Sequence, residues 1–451
     1  MRVHRHLLPA FTAGTLVLAG LYAASIPSHA ADTSPTRPPS SAAAGENTRT
    51  VEYFPSTHSE GRHRQVSATV PQWIRQSRSA PAVSPGKTRV TALQRTGAPD
   101  DRLDVVIIGD GYKAGQQSDF EADARTKLNA IFQIEPYRSY RGLFNFWLVE
   151  AISNQSGVTG DPTRDVVKDT AVSSYFYCDD TERLLCIDEQ KVDSYAQRAP
   201  DSDIVFVIAN STKYGGAGYS GLTSTAGHTG IATMSSDNPS SYLIGAHELG
   251  HSIGLLGDEY EDGGGDRYPG PEPTEPNLTM QTAADMQDHR AKWYRWIGES
   301  DPSGGTVGAY EGGGYHHHGI YRPTENSIMR SLSNDRFNLP GQEAMIEGFY
   351  RHASLLTART PTARTLGASD PLRVSVARLP RDGLSDVRVH WYVDGVEVRK
   401  AVGRRTVTPS ALRISPGTHT VTATATDDTS ALREPAARQA ASSSVSWQIA
   451  E

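Results

Sequence analysis

Two histidines and a glutamate at helical spacing are the residues of this chain that most directly predict chemistry. His247, Glu248 and His251 form the pattern HExxH within the string HELGHSIGLLGDEY. Residues four apart lie on one face of a helix, so both imidazoles can direct a ring nitrogen at the same ion. Zinc is the favoured metal, at about 2.1 Å from each nitrogen. Glu248 can then take a proton from an attacking water, which predicts a zinc hydrolase.

A third zinc ligand is expected, because catalytic zinc sites usually have three protein ligands and one position for water. Metzincin peptidases place a histidine ten residues after the first, beyond a glycine that turns the chain. Here that glycine is Gly254, but the tenth position is Gly257. In a straight helix Asp258 would lie about 10 Å beyond His251, and positive φ at the two glycines would fold it back. We predict Asp258 as the third ligand, with Glu259 as the less favoured alternative.

Three other segments are weaker candidates for metal binding. The histidines at 316–318 follow Tyr315 and are a competing source of the third ligand, and His228 is a more remote one. The acidic stretch Glu261–Asp266 offers oxygen ligands of the kind that calcium prefers. It lacks a regular calcium-loop spacing, so a solvated acidic loop is the favoured interpretation, with calcium as the alternative.

Two downstream motifs add a family resemblance to the HExxH pattern. GIYRP occupies residues 319–323, and SIMR occupies residues 327–330. In this order the three motifs resemble the IgA-peptidase family of secreted bacterial zinc metallopeptidases, family M64, over about residues 101–353. The resemblance implies a metzincin-like fold, a protein or peptide substrate, and a methionine turn under the metal with Met329 at the matching position. The family's name records the cleavage of IgA by one member.

Three side chains are candidates for contact with a substrate. Arg322 could bind a carboxylate or a carbonyl of the substrate in a bidentate manner. A structural ion pair that holds its loop is an equal alternative. Tyr260 or Tyr321 could donate a hydrogen bond to the oxyanion that forms during peptide hydrolysis.

The N-terminus predicts export. Arg2 and Arg5 precede an apolar run from Leu7 to about Ile26, and small residues at 28 and 30 suit cleavage, so we predict a signal peptide at residues 1–30. A membrane anchor is the less favoured alternative. Residues 31–48 are rich in Ser, Pro, Thr and Ala and predict a flexible linker. The mature protein is then expected to be secreted and extracellular, with no membrane attachment after signal removal.

The net charge and the two cysteines bear on the partners and on the compartment of the protein. The chain has 44 basic and 51 acidic residues, a net charge of −7, which gives no basic face for nucleic acid. Cys178 and Cys186 lie close together and predict one disulfide that pins a surface loop, with two free thiols as the alternative.

The remaining pattern predicts an α+β fold. Residues 49–100 form an N-terminal region or a pro-segment, and residues 101–365 form the zinc metallopeptidase domain, with a mixed twisted sheet and an active-site helix at about 240–255. Residues 214–221 are predicted as a glycine-rich loop that leads to an edge strand near 230–234. Residues 371–451 show short alternating strands without a helix, which predicts an immunoglobulin-like β-sandwich.

The sequence therefore predicts a secreted zinc endopeptidase with Glu248 as general base. Two alternatives stay open. One is an extracellular protein- or glycan-binding module on a retired peptidase scaffold. The other is a zinc hydrolase of a non-peptide amide or ester.

Overall fold

A large mixed β-sheet supports the helix that contains the HExxH pattern. The computed structural model describes residues 48–75, 84–220, 222, 224–263, 265–379 and 387–450. The predicted signal peptide and residues 31–47 of the predicted linker lie outside the described residues. The strands of the large sheet are β1 (Thr48–Tyr53), β2 (Arg62–Ser67), β3 (Val90–Gln94), β4 (Leu103–Asp110), β5 (Phe144–Val149), β6 (Ile204–Ala209), β7 (Gly216–Ser220) and β8 (Gly230–Ser235).

The large sheet has a parallel centre with antiparallel strands on both sides. The order is β2-β1-β7-β8-β6-β4-β5-β3. The four strands β8, β6, β4 and β5 are parallel, and their apolar runs are buried on both faces, as parallel sheets require. β3 and β7 flank this core in antiparallel orientation. Within the part of the chain that the structure describes, the sheet continues beyond β7 through the β1–β2 hairpin alone.

Helices pack on this sheet and on one another through apolar faces. The helices are α1 (Gln72–Arg75), α2 (Gln117–Ile131), α3 (Tyr137–Tyr140), α4 (Glu189–Ala196), α5 (Tyr242–Gly254), α6 (Ala283–His289), α7 (Leu339–His352), α8 (Pro409–Leu412) and α9 (Pro435–Ala440). α5 carries the HExxH residues and packs between β8, α2 and α7. No helix of the described residues is long and apolar enough to cross a membrane.

The segment predicted as a glycine-rich loop is a strand, and that prediction was wrong. β7 covers most of residues 214–221, and β8 is an inner strand between β7 and β6. The glycines serve close packing: a Cβ at Gly216 would lie 2.4 Å from the Thr233 carbonyl oxygen and 2.8 Å from Ile244 of α5. The pattern could not distinguish a flexible loop from a strand pressed against a helix.

The C-terminal part contains two small antiparallel sheets. The remaining strands are β9 (Tyr310–Gly313), β10 (His316–Arg322), β11 (Leu356–Ala358), β12 (Leu372–Val376), β13 (Val389–Val393), β14 (Val396–Glu397), β15 (Thr406–Val407), β16 (Thr418–Thr426) and β17 (Ser442–Ala450). The sheet orders are β11-β12-β15 and β14-β13-β16-β17, and β9 pairs with β10. α8 and α9 lie in this part, so the expectation that it contains no helix was wrong.

The C-terminal part shares a core with the rest of the chain. Trp391 and Trp447 stack at 5.8 Å inside it. Asp427 accepts hydrogen bonds from Tyr140 (2.7 Å) and Tyr350 (2.8 Å), which lie in α3 and α7. One continuous apolar cluster extends from α2 and α5 to these tryptophans. The chain from residue 48 onward therefore forms a single compact unit.

The predicted disulfide is present. Cys178 and Cys186 are joined in the segment between β5 and α4. Both are buried in the apolar cluster on the second face of the large sheet. The mixed α+β class is likewise confirmed.

Candidate active site

The end of α5 determines where the residues after the HExxH pattern lie. The helix begins at Tyr242 after Ser241 and ends at Gly254. Leu255 has a φ of +53°, and its backbone N–H caps the helix on the carbonyls of Gly250 and His251. The chain therefore reverses within one residue, which returns Asp258 to the histidines.

The expectation that positive φ at Gly254 and Gly257 causes this reversal was wrong. Neither Gly254 nor Gly257 has positive φ, and Leu255 takes the left-handed conformation instead. The two glycines permit close packing: a Cβ at Gly254 would lie 2.6 Å from Met345 Sδ, and one at Gly257 would lie 2.5 Å from Leu278 Cδ1.

Backbone carbonyls orient both imidazoles of the pattern. His247 Nδ1 donates to the Ile328 carbonyl at 2.9 Å, and His251 Nδ1 donates to the Leu256 carbonyl at 2.7 Å. An Nδ1 that donates leaves Nε2 of the neutral ring with a lone pair, as in metal-binding histidines. The two Nε2 atoms face each other at 2.9 Å.

Two carboxylates complete a group of four ligand atoms that all lie within 4.8 Å of one another. Asp258 Oδ1 lies 3.3 Å from Nε2 of both His247 and His251 and is buried without a hydrogen-bond donor. Glu52, on β1, lies 3.2 Å from each of the same nitrogens. Two imidazole nitrogens and two carboxylates are a donor set that fits zinc.

The electrostatics of the group also fit a divalent cation. Burial and Asp258 raise the pKa of Glu52, but the imidazoles of His247 and His251 outweigh them and hold it at about 2. Burial lowers the pKa of His247, but Glu52 and then Asp258 raise it to about 10. The two carboxylates thus require compensating positive charge, which two protons or one divalent cation can supply.

Glu248 lies beside this group and against the neighbouring strand. Its side chain is 6% exposed, and its Oε1 has no hydrogen-bond partner. A Cβ at Gly218 of β7 would lie 1.8 Å from Glu248 Oε2, so only glycine leaves room for this carboxylate. Burial and then the Glu52 carboxylate raise the pKa of Glu248 to about 8.

A family comparison agrees with this geometry. The model of the family described as IgA Peptidase M64 matches residues 91–303 and 299–349, more than half of the chain. The chain belongs to the IgA peptidase M64 family. A search of the curated proteins found no match. Membership of this family makes the chain a peptidase, with protein as its substrate class. Of the four residues in the metal group, Glu52 lies upstream of the matched residues.

Met329 packs against α5 of this M64 peptidase, and a backbone hydrogen bond links it to Glu259. Met329 is buried, and a Cβ at Gly250 of α5 would lie 2.6 Å from its Sδ. Its carbonyl accepts a hydrogen bond from the Glu259 N–H at 2.8 Å. The Glu259 carboxylate is outside the metal group and accepts from Asn277, Ser327 and Asn338 at 2.7 to 2.9 Å.

Two tyrosines contact the carboxylates of the group. Tyr260 is fully buried and donates to Glu52 Oε1 at 2.9 Å. Tyr315, which the sequence did not single out, donates to Asp258 Oδ2 at 2.7 Å. Tyr321 lies in β10 and is not among the described residues that line the cleft.

The other candidates lie outside the group. Arg322 is buried, donates to the carbonyls of Glu311, Gly312 and Glu325, and forms an ion pair with Glu261 at 3.5 Å, as the structural alternative predicts. His316, His317 and His318 contact Gly314, Glu261 and Glu311 respectively, and His228 contacts Ser224. Within the described residues the acidic stretch forms no second metal-binding group, so calcium has no support.

Besides Tyr315, two residues of the site, Glu52 and His63, could not be identified from the sequence. Glu52 lies 195 positions before His247, and no local pattern links a lone glutamate in a short strand to a distant helix. His63 on β2 contacts the Tyr260 hydroxyl at 3.2 Å. The pairing of β1 with β7 and of β2 with β1 brings both residues to the cleft.

Proposed function

We propose that the chain is a secreted zinc-dependent endopeptidase in which His247, His251 and Asp258 hold the metal. The donor set, the orientation of the two imidazoles and the buried, unpartnered Asp258 Oδ1 support this assignment. Zinc bound there would act as a Lewis acid and lower the pKa of a water molecule in its open position. A zinc-dependent peptidase agrees with both the family membership and the geometry of the four ligand atoms.

The position of Glu248 between the two histidines and β7 is the main support for the proposal. Glu248 packs on Gly218 of β7, and we propose that an extended peptide pairs with β7 in antiparallel orientation in place of β1, which pairs with it in this structure. A cleft of about 400 Å³ lies beside β7, lined in part by Gly218, Glu248, His251, Leu255 and Tyr315. A scissile bond held there would lie beside the Glu248 carboxylate.

The residues of the site can then divide the proton transfers among them. We propose that Glu248 takes a proton from the attacking water and delivers it to the leaving nitrogen as the C–N bond breaks. We propose that the Tyr260 hydroxyl, which donates to Glu52 Oε1 in this structure, donates to the oxyanion of the tetrahedral intermediate once Glu52 is displaced. The balanced products are a carboxylic acid and an amine.

Secretion is part of the same proposal. The signal-peptide pattern at residues 1–30 supports it, and the Cys178–Cys186 disulfide is typical of an oxidising compartment. We also propose a metzincin-like arrangement for the catalytic part and an immunoglobulin-like one for residues 371–451, on the basis of the strands and the stacked tryptophans.

The test is peptide hydrolysis by the purified, zinc-loaded chain and by its Glu248→Gln variant. Both are incubated with a peptide library, with and without a chelator, and the cut sites are sequenced. We expect internal cleavage that the chelator abolishes and that falls by about 10²- to 10⁴-fold in Glu248→Gln. Cleavage that resists the chelator, or that Glu248→Gln retains in full, would contradict the proposal.

A further inference from the structure

We propose that Glu52 is a fourth protein ligand of the metal centre and that the chain with the β1–β2 hairpin in place is a latent form of the peptidase. The inference rests on the proposed function. The hairpin is one continuous antiparallel pair, from Thr48 opposite Ser67 to Tyr53 opposite Arg62.

The hairpin occupies the position that an extended substrate requires. β1 runs antiparallel to β7, with Glu52 directly opposite Gly218, the residue that packs on Glu248. The six other strands form a continuous sheet without the hairpin, and β7 would be its edge. Because a sheet edge can pair with only one strand, β1 must separate from β7 before a peptide substrate can pair there, so the full chain should hydrolyse peptides only slowly.

The Glu52 carboxylate also occupies the position that water requires. The side chain is 5% exposed, and its two oxygens lie 3.2 Å from the Nε2 atoms of His247 and His251. Zinc with four protein ligands forms a closed site of the structural type, whereas a catalytic site keeps one position open. With Glu52 in place, Glu248 would have no water to deprotonate.

Specific contacts hold the hairpin in the cleft. The Phe54 ring lies edge-on to His247, with 4.8 Å between the ring centroids. A Cβ at Gly61 would lie 2.5 Å from Glu52 Oε1 and from the Tyr260 ring, so the hairpin turn is fitted to the site. At the rim, Glu60 forms an ion pair with Arg330 at 3.2 Å.

The position of the hairpin along the chain fits a removable segment. It precedes residue 91, where the match to the peptidase family begins. The family match therefore contains His247, Glu248, His251 and Asp258 but not Glu52. Displacement of the hairpin would expose the edge of β7 and return the metal centre to three protein ligands.

The test compares the full chain with its Glu52→Ala and Glu52→Gln variants, and Glu60→Gln is the matched control. Glu60 is a carboxylate of the same hairpin that pairs with Arg330 and is outside the metal group. Three quantities are measured: zinc affinity by chelator competition, the visible spectrum of the cobalt-substituted protein with and without acetohydroxamate, and peptide hydrolysis. Circular dichroism establishes that each variant is folded.

We expect Glu52→Ala to bind zinc at least about 10-fold more weakly, since it lacks one ligand. Its cobalt spectrum should change on addition of acetohydroxamate. Because β1 then loses the contacts of Glu52 with the metal centre and with Tyr260, it should separate from β7 more readily, and hydrolysis should be at least about 10-fold faster than the low rate of the full chain. Glu52→Gln should change in the same directions, and Glu60→Gln, which removes an ion pair but no ligand, should match the unaltered chain in zinc affinity and cobalt spectrum. Unchanged zinc affinity and spectra in the folded Glu52 variants would overturn the inference.

The same measurements separate this inference from the proposed function. If the Glu52 variants show weaker zinc binding and an altered spectrum but no chain hydrolyses peptide, the ligand assignment stands and the peptidase assignment fails. If the unaltered chain and Glu52→Ala hydrolyse peptide equally and bind zinc equally, the peptidase assignment stands and latency is wrong.

Discussion

At the scale of single residues, the adjacent acidic side chains Asp258 and Glu259 have different surroundings in the site. Asp258 Oδ1 points at the two imidazoles without a hydrogen-bond donor, whereas Glu259 accepts three hydrogen bonds from buried amide and hydroxyl groups. The helix end at Leu255 sets this difference, because it fixes which of the two side chains faces the histidines. Sequence spacing alone left both residues open as the third ligand.

Paired substitutions at these two positions test the division. Asp258→Ala should reduce bound zinc to well below one equivalent, because it removes a proposed ligand. Glu259→Gln should keep one equivalent of zinc and lower the free energy of unfolding by about 1–3 kcal/mol, because a buried hydrogen-bond network is mismatched. Metal analysis and denaturant unfolding measure the two effects. Zinc loss in Glu259→Gln with full retention in Asp258→Ala would reverse the assignment.

At the scale of elements, the sequence predicted the strands and helices whose own residues form a local hydrophobic pattern. β4 occupies Leu103–Asp110 as its apolar run predicts, and α5 covers most of the predicted helix at 240–255. β7 and Glu52 could not be predicted, because their roles depend on which distant segments pack together. The requirement for glycine at Gly218 is evident only in the folded chain, where the Glu248 carboxylate lies against it.

A buried acid in β4 makes the stability of the sheet depend on pH. Burial raises the pKa of Asp104 from 3.8 to about 7, although Trp147 and Asn145 donate hydrogen bonds to its carboxylate. Between these two pH values the folded chain binds more protons than the unfolded chain, so this group's contribution to stability falls as pH rises.

The Asp104→Asn variant isolates this effect, because the amide oxygen can accept the same two hydrogen bonds and carries no charge. Denaturant midpoints are measured for both chains from pH 5 to pH 8. We expect the variant to gain stability relative to the unaltered chain as pH rises. A constant difference between the two chains over this range would contradict the assigned pKa.

At the scale of the whole molecule, the C-terminal part and the catalytic part depend on each other. Tyr140 and Tyr350 of the catalytic part share Asp427 as an acceptor, and the apolar cluster is continuous between them. Two separately folded domains joined by a linker would not share a core in this way. The sequence pattern identified the C-terminal strands but not their docking, which depends on contacts between distant residues.

Calorimetry of Trp391→Ala tests this dependence. Trp391 is fully buried, so the substitution should cost about 3–5 kcal/mol. Because the core is shared, we expect one thermal transition in both chains and a lower midpoint in the variant, with the catalytic part unfolding together with the C-terminal sheets. Two separate transitions, with only one shifted, would show independent domains.

Hydrolysis of one peptide by zinc-loaded Glu52→Ala and by the double variant Glu52→Ala, Glu248→Gln tests whether Glu248 is the general base of the peptidase. Both proteins lack the Glu52 carboxylate, so the comparison reports on Glu248 alone. We predict that kcat/KM falls by about 10²- to 10⁴-fold in the double variant while bound zinc stays at one equivalent. Equal kcat/KM in the two proteins would contradict Glu248 as the general base of this peptidase.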